Sequence, residues 1–289
     1  DLFVPQKTAG KLFKGDGTGK FTDVTAKAGD LAGAIGWTTS AAWGDVDNDG
    51  KLDLIVGCFK GPNRFFKGRG DGTFEDATEK IGLDQKIFNT QAVSCVDLNG
   101  DGHLDLYLVN YVIEDRPPRK CPLPGSPRGY SSCPPTDFPA ADDWVFLSRG
   151  NGEFTEIADL AGLTGVDGKG LGIVIADLIE DRRPEIYVAN DGTPNFLFVP
   201  TQEQITIGEQ TCPKFAERAL ELGCSLSYEG RAQSGMGVTA GDYDRDGWLD
   251  LYVTNYYAET NALYHNLQGR EFQDDTNLAR LGPPSRSTL

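Results

Sequence analysis

DVDNDGKLD (45–53), DLNGDGHLD (97–105) and DYDRDGWLD (242–250) are three copies of one acidic nonapeptide, and each runs straight into an apolar β-type stretch: LIVG, LYLV and LYVT. A fourth copy, DLIEDRRPE (177–185), keeps the frame but loses most of the oxygen-bearing side chains. One such loop could arise by chance. Three in register describe a repeat protein whose repeating part is built to hold a hard cation.

Working outward from each loop, the same elements recur. A short aromatic strand comes first: KLFKG (11–15), RFFKG (64–68), WVFLS (144–148), FLFVP (196–200) and ALYHN (262–266). A Gly-rich tight turn follows, as in GDGTGK (15–20) and GRGDGT (68–73), because glycine accepts the positive φ that hairpins need. A second strand then reads FTDVT, FEDAT, FTEIA, FAERA and FQDDT, and a small-residue strand such as TTSAAWG (38–44) leads into the acidic loop and a fourth strand. The phenylalanine of the second strand (Phe21, Phe74, Phe154, Phe215, Phe272) recurs after 53, 80, 61 and 57 residues. A period near 53 with four strands per unit predicts an all-β fold, a β-propeller of four-stranded blades, of which this chain holds about five units. The long spacing is ascribed to an insertion at 112–140, and the 61-residue step to extra residues near 200–213. Helical signal is slight, with DLAGL (159–163) and ERALELG (217–223) each good for a turn or a short helix. Residues 1–289 are expected to form a single propeller, cut within a blade at both ends: DLFV reads as a strand that follows an acidic loop, and a Pro/Ser-rich tail stands where the next small-residue strand is due.

The chemistry of the loop is specific. Calcium takes six to eight oxygens at about 2.3–2.6 Å, and a tight loop can supply them from alternate positions. The expected ligands are Asp45, Asp47, Asp49, the Lys51 carbonyl and Asp53; Asp97, Asn99, Asp101, the His103 carbonyl and Asp105; and Asp242, Asp244, Asp246, the Trp248 carbonyl and Asp250. Gly50, Gly102 and Gly247 permit the bend, and Leu52, Leu104 and Leu249 are expected to anchor it. Val56, Leu108 and Val253 stand where an EF-hand would need glutamate. Turn chemistry alone accounts for one Asp and one Gly per loop. In the loop at 177–185, Ile179 replaces a ligand and Arg182 and Pro184 break the frame, so that site should be empty or weak, with Arg182 or Arg183 as counter-charge.

Composition narrows the function. A net charge of −16 over 289 residues argues against nucleic acid, and the three good loops hold eleven of the aspartates. No apolar run is long enough to span a membrane as a helix. Six cysteines include two locally spaced pairs, Cys121 with Cys133 and Cys212 with Cys224; both are expected as disulfides and point to an oxidising compartment, while pairing of Cys58 with Cys95 stays open.

GMGVTAGDYDRDGWLDLYVTNY (235–256), the GDGTF-type turns and the F-T-D-V-T strand resemble the FG-GAP/VCBS repeat family, in particular its cartilage acidic protein (ASPIC/UnbV) branch. The integrin-type FG-GAP wording itself is not evident. The resemblance implies a seven-bladed calcium-loop propeller, usually secreted or otherwise extracellular (a periplasmic location fits equally), and a role in binding or adhesion.

The leading functional expectation is therefore a calcium-stabilised binding or scaffold module for a protein or glycan ligand. Asn110, Tyr111, Asn190, Asp191 and Asn255 to Tyr257, which follow the fourth strands, are candidate contacts, as are Arg116, Arg119, Lys120, Arg128 and Tyr130 of the insertion. Arg69-Gly70-Asp71 spells an adhesion tripeptide, although sister turns put the same spelling down to hairpin chemistry. One alternative is a subunit of a larger extracellular assembly. Another is a polysaccharide lyase or hydrolase, for which the chain has carboxylates but only two histidines and no nucleophile motif.

Overall fold

The computed structural model describes residues 1–114, 120–122 and 129–285. Strands dominate it. Leu2–Val4, Lys11–Gly15 and Phe21–Asp23 (β1–β3) form a three-stranded sheet. Thr38–Gly44, Asp53–Gly61, Arg64–Gly68 and Phe74–Asp76 (β4–β7) form the first complete blade. The next is Phe88–Val96 and Asp105–Asn110 (β8, β9) with Trp144–Ser148 and Phe154–Glu156 (β12, β13); the insertion hairpin Lys120–Pro122 and Tyr130–Ser132 (β10, β11) stands apart from it. Gly170–Ala176, Glu185–Asn190, Phe196–Ile207 and Gln210–Glu217 (β14–β17) and Gly235–Gly241, Asp250–Asn255, Ala262–Asn266 and Phe272–Asp274 (β18–β21) complete the series. Every blade is an antiparallel meander, which is the β-propeller architecture the repeat predicts.

The phase of the repeat differs from that read in the sequence. Each sheet begins at the small-residue strand, not at the aromatic one, because the acidic loop and the Gly-rich turn are both tight intra-sheet links, whereas the link after the second strand crosses to the next sheet. Leu2–Val4 pairs with Lys11–Gly15, so DLFV lies in the same sheet as the aromatic strand that follows it. The first strands β4, β8, β14 and β18 lie side by side, and β5 also pairs with β8 through Phe59 and Asn89. Small residues allow this approach: a Cβ on Gly172 would come within 2.8 Å of the Gly237 Cα. Each first-to-second strand pair carries the same register shift near its outer end, at Thr38/Ser40, Thr90/Ala92, Gly170/Gly172 and Gly235/Gly237.

The core is divided among the interfaces. One cluster joins the first two sheets through Phe3, Leu12, Leu54 and Phe66; the next two blades meet through Ile55, Phe65, Leu106 and Trp144. Tyr107, Val109, Ile186 and Phe198 fill the following interface, and Tyr187, Leu197, Leu251 and Tyr264 the last. Fully burying side chains of this size stabilises by about 1.5–3 kcal/mol each. Buried tyrosine hydroxyls find partners at the rim: Tyr187 donates to the Cys224 carbonyl at 2.7 Å and Tyr107 to Asp143 at 2.9 Å.

Two expectations need correction. Cys212 and Cys224 are not bonded: Cys212 packs in the cluster between the third and fourth sheets and Cys224 in the one beyond, on opposite sides of a blade. Cys58 and Cys95 are likewise free thiols in separate interfaces. Cys121 and Cys133 do form a disulfide, with Cα atoms 5.0 Å apart, which pins β10 to the segment after β11. The extra residues near 200–213 are not a loop: they lengthen β16 and β17 into a paired ribbon running from Gln204↔Pro213 to Ile207↔Gln210. DLAGL and ERALELG form turns, at 158–162 and 219–223, one of the two forms expected of them, and the α-helical turns among the described residues are Thr78–Ile81 and Gly282–Ser285.

Candidate metal centres

The acidic loops join the first and second strands of each blade and share one face with the Gly-rich hairpins. Their carboxylates divide the work by position. The first aspartate folds the bend: Asp45 accepts the N–H groups of Asp49 and Gly50 at 3.0 and 2.9 Å, and Asp97 and Asp242 hold the matching groups of their loops. The fifth-position side chain closes the next step, Asp49 to the Lys51 N–H, Asp101 to His103 and Asp246 to Trp248. The ninth is buried and ties loop to blade. Asp53 accepts from the Val46 and Gly68 N–H groups at 3.1 and 2.8 Å, Asp105 from Leu98 and Ser148, and Asp250 from Tyr243 and Asn266. Positions four and six both take left-handed backbone, with φ of 56° at Asn48 and 81° at Gly50. The sequence signals the second of these in all three loops and the first only at Gly100.

The third position stands apart. Asp47 makes no backbone hydrogen bond among the described residues; its side chain is only 10% exposed and its Oδ1 has no partner. Such an orphaned buried oxygen is costly unless something occupies it. One carboxylate oxygen from each of Asp45, Asp47 and Asp53 lies within 4.8 Å of the others, and the same holds for Asp242, Asp244 and Asp250. These two loops therefore present oxygen clusters that fit a hard divalent ion. The second loop has Asn99 in the third position, so its cluster contains an amide oxygen in place of a third close carboxylate; Asn99 Nδ2 is turned toward the Thr211 carbonyl at 3.1 Å.

Burial governs the protonation of the ninth position. Desolvation pushes Asp53 up to about 6 and Asp105 up to about 7, against the pull of the two N–H donors on each, and it raises Asp250 as well. A cation nearby would favour ionisation of all three.

Two basic side chains that the sequence did not flag stand over the clusters. Lys67 bridges Asp47 and Asp49, with the Asp49 contact at 3.2 Å; His265 Nε2 lies 3.2 Å from Asp244, and its Nδ1 the same distance from Asp275. Both occupy the fourth place of the aromatic strand, RFFKG and ALYHN, and the signal was there to find, since the second loop has Leu147 and the degenerate one Val199 at that place. The seventh-position side chains Lys51, His103 and Trp248 lie against the first glycine of their own hairpins, Gly70, Gly150 and Gly269. In the degenerate loop, Arg183 pairs with Asp181 and donates to the Thr201 carbonyl; this is the expected counter-charge.

The other candidates are placed as follows. Asn110, Asn190 and Asn255 are buried and donate to the carbonyls of Asp142, Pro194 and Thr260, so they bind the fold together rather than face a ligand. Tyr111 donates to Asp191 at 2.5 Å across two blades, while Tyr256 and Tyr257 are exposed. Asp71 of the RGD turn accepts from the Thr73 N–H and hydroxyl, and Arg69 pairs with Glu75. Lys120 Nζ sits 4.1 Å from the Tyr130 ring, whereas Arg116, Arg119 and Arg128 lie outside the described residues. No helix among the described residues is long and apolar enough to cross a membrane.

Comparison with known proteins agrees with this geometry. A model of the FG-GAP-like repeat matches residues 1–56 and 51–108, and the FG-GAP repeat model matches 234–265, the region whose wording carries the resemblance. Cartilage acidic protein 1 is 25% identical over 227 residues in Homo sapiens, 24% over 223 in Mus musculus and 26% over 226 in Xenopus tropicalis. Each match covers 73% of this chain and 29–30% of the relative, so the chain spans less than a third of the curated proteins it matches. Neither these names nor the repeat descriptions denote an enzyme.

Proposed function

We propose that this chain, which belongs to the FG-GAP-like repeat family, is a calcium-stabilised propeller that serves as a binding or scaffold module of an extracellular protein. The observation that carries this reading is the buried third-position carboxylate of Asp47, which has one oxygen without a partner and two further carboxylates within 4.8 Å. Asp45, Asp47, Asp49, Asp53 and the Lys51 carbonyl would hold one ion, Asp242, Asp244, Asp246, Asp250 and the Trp248 carbonyl a second, and Asp97, Asn99, Asp101, Asp105 and the His103 carbonyl a third. When bound, calcium supplies charge neutralisation and no covalent chemistry. The chain's own carboxylates hold the bends, Lys67 offsets part of the charge in the ion's absence, and His265 lies against Asp244. The Cys121–Cys133 disulfide and the cartilage acidic protein likeness support an oxidising, extracellular setting.

Calcium at 100-fold its Kd would add about 2.7 kcal/mol per site. Thermal melts in calcium and in excess EDTA are expected to differ by well over 10 °C, with calcium confirmed by elemental analysis at three ions per chain. Identical melts on a sample shown to be calcium-free in one arm and replete in the other would overturn the assignment.

A further inference from the structure

All the acidic loops and Gly-rich hairpins lie on one face of the fan, because the meander of every blade brings the first-to-second and third-to-fourth strand links to the same end. The opposite face carries the cation–ring contacts: Lys7 and Trp37 at 5.0 Å, Lys60 and Phe59 at 5.0 Å, Lys86 and Trp144 at 5.2 Å, and Lys120 and Tyr130 at 4.1 Å. Where the first three sheets adjoin, this face opens into a cleft of about 450 Å³ lined by Gln6, Lys7, Trp37, Thr39, Phe59 and Gln91. We propose that this trough binds a uronate or sulfated pyranose residue of an anionic glycan. The proposal rests on the reading of the chain as a binding module and names the ligand class and the place.

Three observations carry it. Trp37 is 41% exposed and packs against Phe59, with ring centroids 4.5 Å apart at an interplanar angle of 59°, so an exposed indole steadied by its neighbour borders the cleft. A pyranose presents a patch of C–H bonds with partial positive charge, which suits the negative face of an aromatic ring. Exposed Gln6 lines the cleft with an amide that is both donor and acceptor, and half-buried Gln91, whose Nε2 already donates to Asn89 Oδ1, adds a second amide for ring hydroxyls. Lys7 makes no ion pair among the described residues, so its ammonium, held over Trp37, is open to a carboxylate or sulfate; Lys60, on the far side, is shared with Glu114.

The backbone is already spent, which disfavours a peptide strand. The Thr38 N–H donates to the Gln6 carbonyl at 2.9 Å, and the Phe59 N–H to the Trp37 carbonyl at 2.8 Å. A peptide adding to the sheet needs a free edge, and this rim offers none of these groups. The same bonds fix the two rings before any ligand arrives, which lowers the ordering cost of binding.

The test uses the calcium-loaded chain with a hexasaccharide of alternating glucuronate and N-acetylglucosamine, cellohexaose as a neutral sugar and polyglutamate as an anion without rings, read by calorimetry and tryptophan fluorescence. The uronate hexasaccharide should saturate below ~10 mM, the range of weak single-site recognition. Trp37→Ala should weaken it ~3–10-fold. Lys7→Gln should weaken it ~2–5-fold while leaving cellohexaose unchanged. Both replaced side chains are exposed, and melts matching the parent would show that the fold is intact. Absence of saturation by the uronate sugar, equal affinity in both variants and the parent, or displacement of the sugar by polyglutamate independently of Trp37 would each overturn the proposal. A calcium-dependent melt that persists alongside such a result would leave the metal assignment standing and sink only the sugar site.

Discussion

The loops at 45–53 and 177–185 have the same backbone and different contents. Asp177 accepts the N–H groups of Asp181 and Arg182 as Asp45 does those of Asp49 and Gly50; Asp181 closes on Arg183 as Asp49 does on Lys51; and Glu185, like Asp53, is buried and receives the second-position N–H, here from Leu178. Even the two left-handed residues persist, at Glu180 and Arg182, although neither is glycine. What differs is the third position, Asp47 against Ile179. The bend itself therefore needs carboxylates at positions one, five and nine whether or not a metal is present. Turn chemistry explains three acidic positions per loop; what it leaves over in the first loop is Asp47, which binds no backbone group among the described residues and keeps one buried oxygen without a partner beside Lys67.

The largest effect expected from this comparison comes from the ninth position. Asp53→Ala would leave the Val46 and Gly68 N–H groups without acceptors, at about 1–3 kcal/mol each, and would remove a calcium ligand as well. Glu185→Ala would strand the Leu178 and Ile179 N–H groups at a similar cost. Chemical denaturation in EDTA should show the two variants destabilised alike, and in calcium Asp53→Ala should fall further behind. If Asp53→Ala were harmless in EDTA, the structural half of the comparison would be wrong.

The third position should separate cleanly from the ninth. Asp47→Ala is expected to lose one calcium ion per chain and with it roughly 2.7 kcal/mol at 100-fold Kd, yet to melt like the parent in EDTA, since no backbone group depends on it. Ile179→Asp should not create a fourth site, because Arg183 already occupies Asp181 and the glycine-free bend is unchanged. Four ions bound to that variant would show that a single side chain sets occupancy.

The blade and its calcium loop were legible because their signals are local: an alternating strand, a Gly turn and an acidic nonapeptide within one period. What escaped was set by neighbours in space. Cys121–Cys133 and Cys212–Cys224 are both twelve apart, but only the first pair lies within one excursion of chain; a β-ribbon and a full blade thickness come between the second. Asn110, Asn190 and Asn255 looked like ligand contacts because they are polar residues ending strands, and burial alone reveals them as carbonyl caps. Lys7 and Trp37 sit 30 residues apart in the sequence and meet only through the crossing between two sheets. Lys67 and His265 had a positional signal, but it has meaning only once the aromatic strand is known to run beside the loop.

The smallest effect, and the sharpest discriminator, is the pH dependence of the two ninth-position acids. Burial raises Glu185 to about 7 and Asp53 to about 6, above their ordinary values of 4.5 and 3.8. The folded state therefore holds a proton that the unfolded chain releases, and each group's contribution is fully present below its unfolded value and lost as pH rises through the folded one, at up to about 1.4 kcal/mol per pH unit. Exposed acids held low, such as Asp23 at about 2, titrate below this window. In EDTA, stability should thus decline between about pH 4 and pH 7, and either Glu185→Gln or Asp53→Asn should flatten part of that decline. In saturating calcium the two should part company. An ion beside Asp53 keeps it ionised, so that its proton no longer contributes and Asp53→Asn stops altering the slope, whereas Glu185→Gln continues to flatten it because its loop takes no ion. Denaturation midpoints at five pH values in each condition would decide it, and equal calcium sensitivity of the two slopes would mean that the loops are occupied alike.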